Sequence, residues 1–432
     1  SVALARRRGS FFTKPMRIVV VGKGGREHAL IRSLSESPGE NELFCFPGSD
    51  AICELAQAVE AEGLQDLVDW MRSNAIDLCI AGEESYLLKD DGLANLCARH
   101  GIPCWGPPKE AALLEGSKEF AKQFMERHDI PTGSALVVES AEEARQAIGE
   151  NYPTVLKFDG LAAGKGVAVC SDEESVESFL EEVYGQKRFG EGSLLIEEYL
   201  EGPEVSIFAA VSGRGAVIFT PARDYKLIGE GDTGANTGGM GAVASRQLIE
   251  PALMAQIEKE IINPTIEGLA DDDLGYVGFL YFGLMLTRDG PKVIEYNCRF
   301  GDPECQAVMP LVSGDLATFC RDGAKGNLRS ELLSFDEGWS VGVILASAGY
   351  PASSRSGDVI EGLEAVEDAR VYHAGTRLNE AGQWETNGGR VLAVVAGGED
   401  RESAVTKAHL EANKVDFDGA QRRADIGRLH FE

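Results

Sequence analysis

Arg17-Ile-Val-Val-Val21-Gly22-Lys-Gly24-Gly25-Arg26-Glu27-His28-Ala-Leu30-Ile-Arg-Ser-Leu34-Ser35 decides the first part of the fold. A β-branched run at 17–21 stops at a glycine. Ala29, Leu30 and Leu34 then recur at helical spacing over 26–35, so the segment reads strand, turn, helix. Working outward, 43–46 is a short apolar strand stopped by Pro47-Gly48, 64–73 is an amphipathic helix and 76–81 a buried strand. Such alternation implies a doubly wound parallel sheet through about residue 117. A helix over 119–128 follows, closed by Pro131.

From residue 154 the pattern changes to strands joined by glycine loops, at 155–158, 167–170, 194–199, 205–211 and 216–220, which is the spacing of hairpins rather than crossovers. A further β-rich unit begins near Val341, runs through 391–395 and ends on a helix over 403–414. No repeat or low-complexity linker separates these units, so closely docked domains are expected.

The 432 residues carry a net charge of −29 and a pI near 4.6, which argues against a nucleic-acid or anionic-membrane partner. No apolar stretch approaches the roughly 20 residues that span a bilayer, and the chain is read as soluble. Any anionic substrate must therefore meet a local basic pocket. The nine cysteines, without a C-x-x-C pair, read as buried free thiols of a reducing compartment rather than disulfides or a zinc site. Residues 1–15 hold Arg6, Arg7, Arg8 and Lys14 and no acid; they read as a disordered or tag remnant, or as part of an organellar transit peptide.

The densest chemistry lies in Lys292-Val-Ile-Glu295-Tyr-Asn297-Cys-Arg299-Phe-Gly301-Asp302-Pro303-Glu304-Cys-Gln306. On a strand ending at Asn297, Glu295 and Asn297 share one face while Ile294 and Tyr296 pack on the other. That face offers only oxygens, which suits Mg²⁺ bridging ATP phosphates. An isolated E-x-N is ordinarily the solvated face of an edge strand, but the charged turn that follows favours function.

Three glycine loops could hold phosphate. The Gly22–Glu27 turn opens a helix, whose N-terminal amides hold anions. A dinucleotide site would want glycine at position 27, where Glu27 stands, and an acid closing the second strand, where Pro47 follows Phe46. Gly160-Leu-Ala-Ala-Gly164-Lys165-Gly166 is one residue short of a P-loop and lacks its hydroxyl, and it lies between strands, so it reads as a hairpin lid over phosphates, with Lys157 reaching the same anions. Asn236-Thr237-Gly238-Gly239 lets backbone approach a ligand, or is a plain surface loop.

Together these blocks resemble the ATP-grasp ligases and, within them, the phosphoribosylamine–glycine ligase family, over residues 16–428. The most specific piece is Arg299-Phe-Gly-Asp-Pro-Glu-Cys-Gln306, supported by Gly24-Gly-Arg-Glu-His28, Gly116-Ser-Lys118, Asp159–Gly166, Asn236–Gly241, His373-Ala-Gly-Thr376 and Asn387-Gly-Gly-Arg390. The resemblance implies an α/β and α+β multidomain chain. It would comprise a doubly wound domain at 16–117, an ATP-grasp domain at 118–335 with a mobile lid at about 134–200, and a small β-rich domain at 336–432. It implies that Lys118, Lys157, Gly160, Gly164, Lys165 and Gly166 hold ATP phosphates, Glu197, Glu198 and Leu200 lie along adenine, and Glu204 meets the ribose. Glu295 and Asn297 would ligate magnesium or manganese. Gly24, Gly25, Arg26, Glu27 and Asn236, Thr237, Gly238, Gly239 would face ribose phosphate. Arg299, Lys157 and Asp302 would be catalytic, with Arg299 beside the glycine carboxylate. The implied reaction joins glycine to 5-phosphoribosylamine with ATP as co-substrate, in a cytoplasmic monomer, or an organellar one if 1–15 are a transit remnant. No further catalytic unit follows residue 432, so one activity is expected. Ser49, Glu83, Tyr225, Leu227 and Ala235 depart from the family pattern, chiefly on the ribose-phosphate side. Rival readings are another ATP-grasp carboxylate–amine ligase or a biotin-carboxylase-like enzyme, a nicotinamide-dependent oxidoreductase, argued against by Glu27, and a non-catalytic nucleotide sensor.

Overall fold

The computed structural model describes residues 15–160 and 166–431. Residues 1–14, and Gly164 and Lys165 of the glycine loop expected over the phosphates, lie outside the described residues.

Arg17–Gly22 is a strand and Gly25–Ser35 the helix after it. The alternating units form a five-stranded parallel sheet in the order Gln57–Ala58, Glu42–Pro47, Arg17–Gly22, Leu78–Ala81, Cys104–Trp105. Chain direction across the sheet reverses between the third and fourth of these strands. The loops at Gly22 and Gly82 therefore sit at the crevice where such sheets bind ligands.

The expected hairpins split into two layers. Ala135–Val138, Leu194–Glu198, Thr154–Phe158 and Val167–Cys170 make a four-stranded antiparallel sheet in that order. It has its own core of Val138, Leu156, Phe158, Val176, Phe179 and Leu194. The second layer is a nine-stranded antiparallel sheet running from Gly290–Asn297 through Val277–Thr287, Glu204–Ser212, Ala222–Asp224 and Gly241–Ala244 to Trp339–Ala346, Arg390–Gly398 and Arg370–His373; Gly215–Ile218 adds to Glu204–Ser212. The large sheet thus has strands on both sides of residue 336, because Gly241–Ala244 pairs with Trp339–Ala346 along its whole length.

Two apolar cores weld the parallel sheet to this large sheet. One joins Val19 and Phe44 to Phe124, Phe282 and Tyr296; the other joins Ile18 and Leu30 to Phe208, Phe279, Phe300 and Tyr372. The C-terminal strands also dock on helix Gly25–Ser35, where the His373 N–H donates to His28 Nδ1 at 2.9 Å. Burial lowers His28 to about 3 and His373 to about 4, so both imidazoles are neutral pieces of the interface. Among the described residues, no helix is long and apolar enough to cross a membrane.

Candidate active site

The strand Gly290–Asn297 departs from simple alternation. Gly283 pairs with Glu295 but Leu284 with Val293, leaving Ile294 as a bulge. Val293 and Tyr296 enter the core while Ile294 does not, which corrects the expectation that Ile294 and Tyr296 pack together. The bulge has a use: the Ile294 carbonyl accepts from Lys157 Nζ at 3.4 Å. Glu295 and Asn297 do remain on one face.

Above that face stands the four-stranded sheet. Glu197 is 7% exposed, and its carboxylate lies 2.6 Å from Lys157 Nζ and 3.2 Å from Lys122 Nζ. It is thus a buried bridge between two ammonium groups. Lys122, which the sequence reading passed over, also donates to Thr132 Oγ1 and the Gly133 carbonyl, both at 2.8 Å. Lys118 begins the helix Lys118–Arg127, capped by Ser117, and its Nζ donates to the Gly160 carbonyl at 2.9 Å. Asp159 accepts from the Lys118 N–H and from Ser117 Oγ, fixing the chain just before Gly160. Burial lowers Lys118, with Glu295 and Asp159 pulling the other way. The Gly166 carbonyl accepts from the Phe158 N–H at 2.7 Å. Glu198 turns outward to Ser134 and Lys292, and Leu200 lies against Gly133.

Glu295 makes no ion pair or hydrogen bond among the described residues. Asn297 satisfies its surroundings when its amide nitrogen faces Glu115 Oε1 at 3.0 Å and the Tyr296 carbonyl at 3.1 Å, which leaves its oxygen available. One carboxylate and one amide oxygen without partners among the described residues suit a hard oxygen-seeking cation better than a thiophilic one.

Arg299 is held from two sides, by Glu84 at 3.1 Å and Glu115 at 2.8 Å. Burial pushes Glu84 upward, but Arg299 and Arg26 outweigh it and hold its carboxyl at about 2; burial, reinforced by Glu84, raises Glu115 to about 7. Neither acid was anticipated from sequence, since each lies remote in the chain. A second unforeseen group surrounds Lys226, which meets Glu204 at 2.6 Å. Burial opposes its charge, yet Glu204 and Asp224 raise it well above the ordinary lysine range. Burial lifts Asp224 to about 6 and Glu304 to about 8, each reinforced by neighbouring carboxylates.

The glycine loops meet on the far side of Arg299. Gly24 is the N-cap residue of its helix, and the Glu27 carboxylate folds back to accept from its N–H at 2.7 Å and from Arg26 Nε at 2.7 Å. Glu27 is 1% exposed, and a Cβ on Gly22 or Gly82 would lie 2.5 Å from its side chain. It therefore fills the space a dinucleotide pyrophosphate would need, which disposes of the oxidoreductase reading and gives Glu27 an inward, loop-holding place. Arg26 is likewise buried, donating to the Phe300 carbonyl. Asp302 accepts from Gln306 at 2.9 Å and lies 3.4 Å from Arg390. Arg390 donates to the carbonyls of Asp302 and Gly238, both at 2.7 Å, and so ties the 236–239 loop to the Asp302 turn. Thr237 Oγ1 donates to the Lys226 carbonyl and accepts from the Gly239 N–H. Gly239, at φ +119 and with Pro303 Cδ 2.5 Å from where a Cβ would stand, could be no other residue here. Of the unusual positions, Tyr225 proves to be core: its hydroxyl accepts from the Gly427 N–H and donates to the Leu429 carbonyl. The two halves of the site are joined by the chain of contacts Asn297, Glu115, Arg299, Glu84, Arg26.

Family profiles match this chain in succession as the phosphoribosylglycinamide synthetase N domain at 16–115, ATP-grasp (A) domain at 116–305 and C domain at 340–429. The chain belongs to the phosphoribosylglycinamide synthetase family. It is 40% identical to a phosphoribosylamine–glycine ligase of Caldanaerobacter subterraneus over 95% of this chain and 99% of that one. It is also 40% identical to a trifunctional purine biosynthetic protein of Drosophila melanogaster, over 96% of this chain and 32% of that longer protein. The crystal structure of the Thermotoga maritima phosphoribosylamine–glycine ligase superposes with a TM-score of 0.83 at 34% identity, covering 95% of this chain and all of that one. A biotin carboxylase domain of Hydrogenobacter thermophilus 2-oxoglutarate carboxylase shares the fold, with a TM-score of 0.72 at 19% identity over 94% of this chain and 91% of that domain. Like its synthetase relatives, this chain is an ATP-grasp ligase.

Proposed function

We propose that this synthetase-family chain ligates glycine to 5-phosphoribosylamine at the expense of ATP, giving glycinamide ribonucleotide, ADP and phosphate through glycyl phosphate. The observation that carries the reading is the convergence of Lys157 and Lys118 on the Glu295 strand, Lys157 donating to the Ile294 carbonyl and Lys118 lying within reach of the Glu295 charge, with Arg299 clamped just beyond the end of that strand.

Glycine's carboxylate is a poor acyl donor, so activation by phosphoryl transfer precedes amide formation. Magnesium held by Glu295 and Asn297 would offset phosphate charge there; manganese has the same oxygen preference. Lys118 and Lys157 hold the phosphates as point charges, and Glu197 fixes where Lys157 can stand. Arg299, immobilised by Glu84 and Glu115, orients the glycine carboxylate without paying for its own ordering at each turnover. Gly24, Gly25, Arg390 and the 236–239 loop shape the place where the phosphoribosyl amine attacks the acyl phosphate, with Asp302 holding Arg390. The amine needs no protein nucleophile. The separate core of the 134–200 sheet lets it close as a lid that keeps water from the anhydride. We divide the chain at 117/118 and 335/336, treat the enzyme as a monomer, and assign it to the cytoplasm on its free thiols.

ADP release with each substrate omitted in turn tests the reading. Release should require ATP and glycine and reach its full rate only with 5-phosphoribosylamine present. Release at an unchanged rate without glycine would overturn the proposal and favour a simple nucleotidase.

A further inference from the structure

Cys79, Cys97 and Cys104 arrive from three elements and bring their Sγ atoms within 4.8 Å of one another. Cys79 lies on the strand Leu78–Ala81, Cys104 opens the neighbouring parallel strand in register with it, and Cys97 projects from the helix Leu93–Arg99. All three are free thiols; Cys79 and Cys97 are fully buried and Cys104 is partly exposed. A trigonal set of zinc–sulfur bonds of about 2.3 Å places sulfurs about 4 Å apart, so the three need close by less than about 1 Å. Small side-chain rotations can supply that.

We propose that Cys79, Cys97 and Cys104 form a binding site for a thiophilic d¹⁰ divalent metal ion of the zinc class, with the fourth position open on the Cys104 side. Soft sulfur ligands separate this site from the oxygen face at Glu295 and Asn297, which suits magnesium. Its place in the fold gives it a structural consequence. The strand of Cys79 leads within five residues to Glu84, and the strand of Cys104 leads through Pro107 into the helix Lys109–Gly116 that carries Glu115. Those two carboxylates grip Arg299. The ion would therefore staple together the two elements that carry the Arg299 clamp, and take no part in the chemistry.

The test is titration of the full chain, reduced and stripped by chelator, with Cd²⁺ alone as probe and Mg²⁺ in excess throughout. One ion per chain should bind with a thiolate-to-metal absorption band, and the melting temperature should climb with Cd²⁺ concentration. Cys104→Ser, at the partly exposed corner, should weaken binding on the order of 100-fold, at least the scale on which losing a supporting group alone weakens a metal site. Cys97→Ser should do the same if it folds, and the Cys104 variant decides if it does not. The paired variant Cys45→Ser, Cys53→Ser removes the other thiols in contact, at 3.9 Å, and should bind as before. A folded chain without the band, a band unchanged by Cys104→Ser, or a band abolished by the Cys45 and Cys53 changes would each show that the trio is only core packing.

Discussion

Glu197→Gln offers the sharpest separation between a residue that lines adenine and one that holds the phosphate lysines in place. The wild-type carboxylate, almost wholly buried, meets Lys157 at 2.6 Å and Lys122 at 3.2 Å. At an effective dielectric of about 20, each attraction is about 5–6 kcal/mol before desolvation is subtracted. The amide keeps the shape but removes the charge, leaving two ammonium groups facing each other out of water. Breaking a buried pair this way costs about 3–5 kcal/mol, equivalent to roughly 12–40 °C in a unit of this size. The loss should appear in the transition of the 134–200 sheet, followed by differential scanning calorimetry. The ATP KM should rise as well, because Lys157 loses its anchor. Adding Lys122→Met to Glu197→Gln removes one of the unpaired charges and should restore about 1–3 kcal/mol, the usual coupling between contacting groups. A variant that melts with wild type while its ATP KM rises would refute the bridge and return Glu197 to the adenine side.

Glu295→Gln should lower turnover at saturating Mg²⁺ by about 10²-fold or more while melting with wild type, since Glu295 makes no ion pair among the described residues; wild-type turnover would remove it from the site. Arg26→Ala should raise the KM for 5-phosphoribosylamine more than that for ATP, and should also destabilise the chain, because Glu27 and Glu84 lose a buried partner; equal effects on both KM values would count against the phosphate side. Glu304 has a folded pKa of about 8, raised by burial and by Asp224 above its ordinary 4.5. Its contribution to stability is therefore complete below pH 4.5 and is lost as pH rises through about 8. Glu304→Gln should flatten the decline of the melting temperature across that window, and matching pH profiles for the two proteins would contradict the assignment.

Much of this architecture was legible in the linear chain, because hydrophobic period and glycine punctuation are local properties. The helix at 64–73 was read to the residue, and the strands at 155–158 and 167–170 to within one residue. Glu295 and Asn297 were legible for the same reason, as a short pattern on one strand. Lys122, Glu84 and Glu115 were not. Each looks like an ordinary charge on an amphipathic helix or in a loop, and becomes special only when a remote partner arrives: Glu197 for Lys122, Arg299 for the two acids.

The amino-acid order alone determined which segments become strands and helices, that glycine loops follow several of them, and that a strand face offering only oxygens precedes a charged turn. Only the tertiary structure decided that Ile294 bulges toward Lys157, that Glu27 points inward, that the C-terminal strands extend the large sheet, and that three scattered cysteines meet. Those outcomes depend on contacts between residues tens to hundreds of positions apart, whose energies of desolvation and pairing exist only once the chain has closed around them.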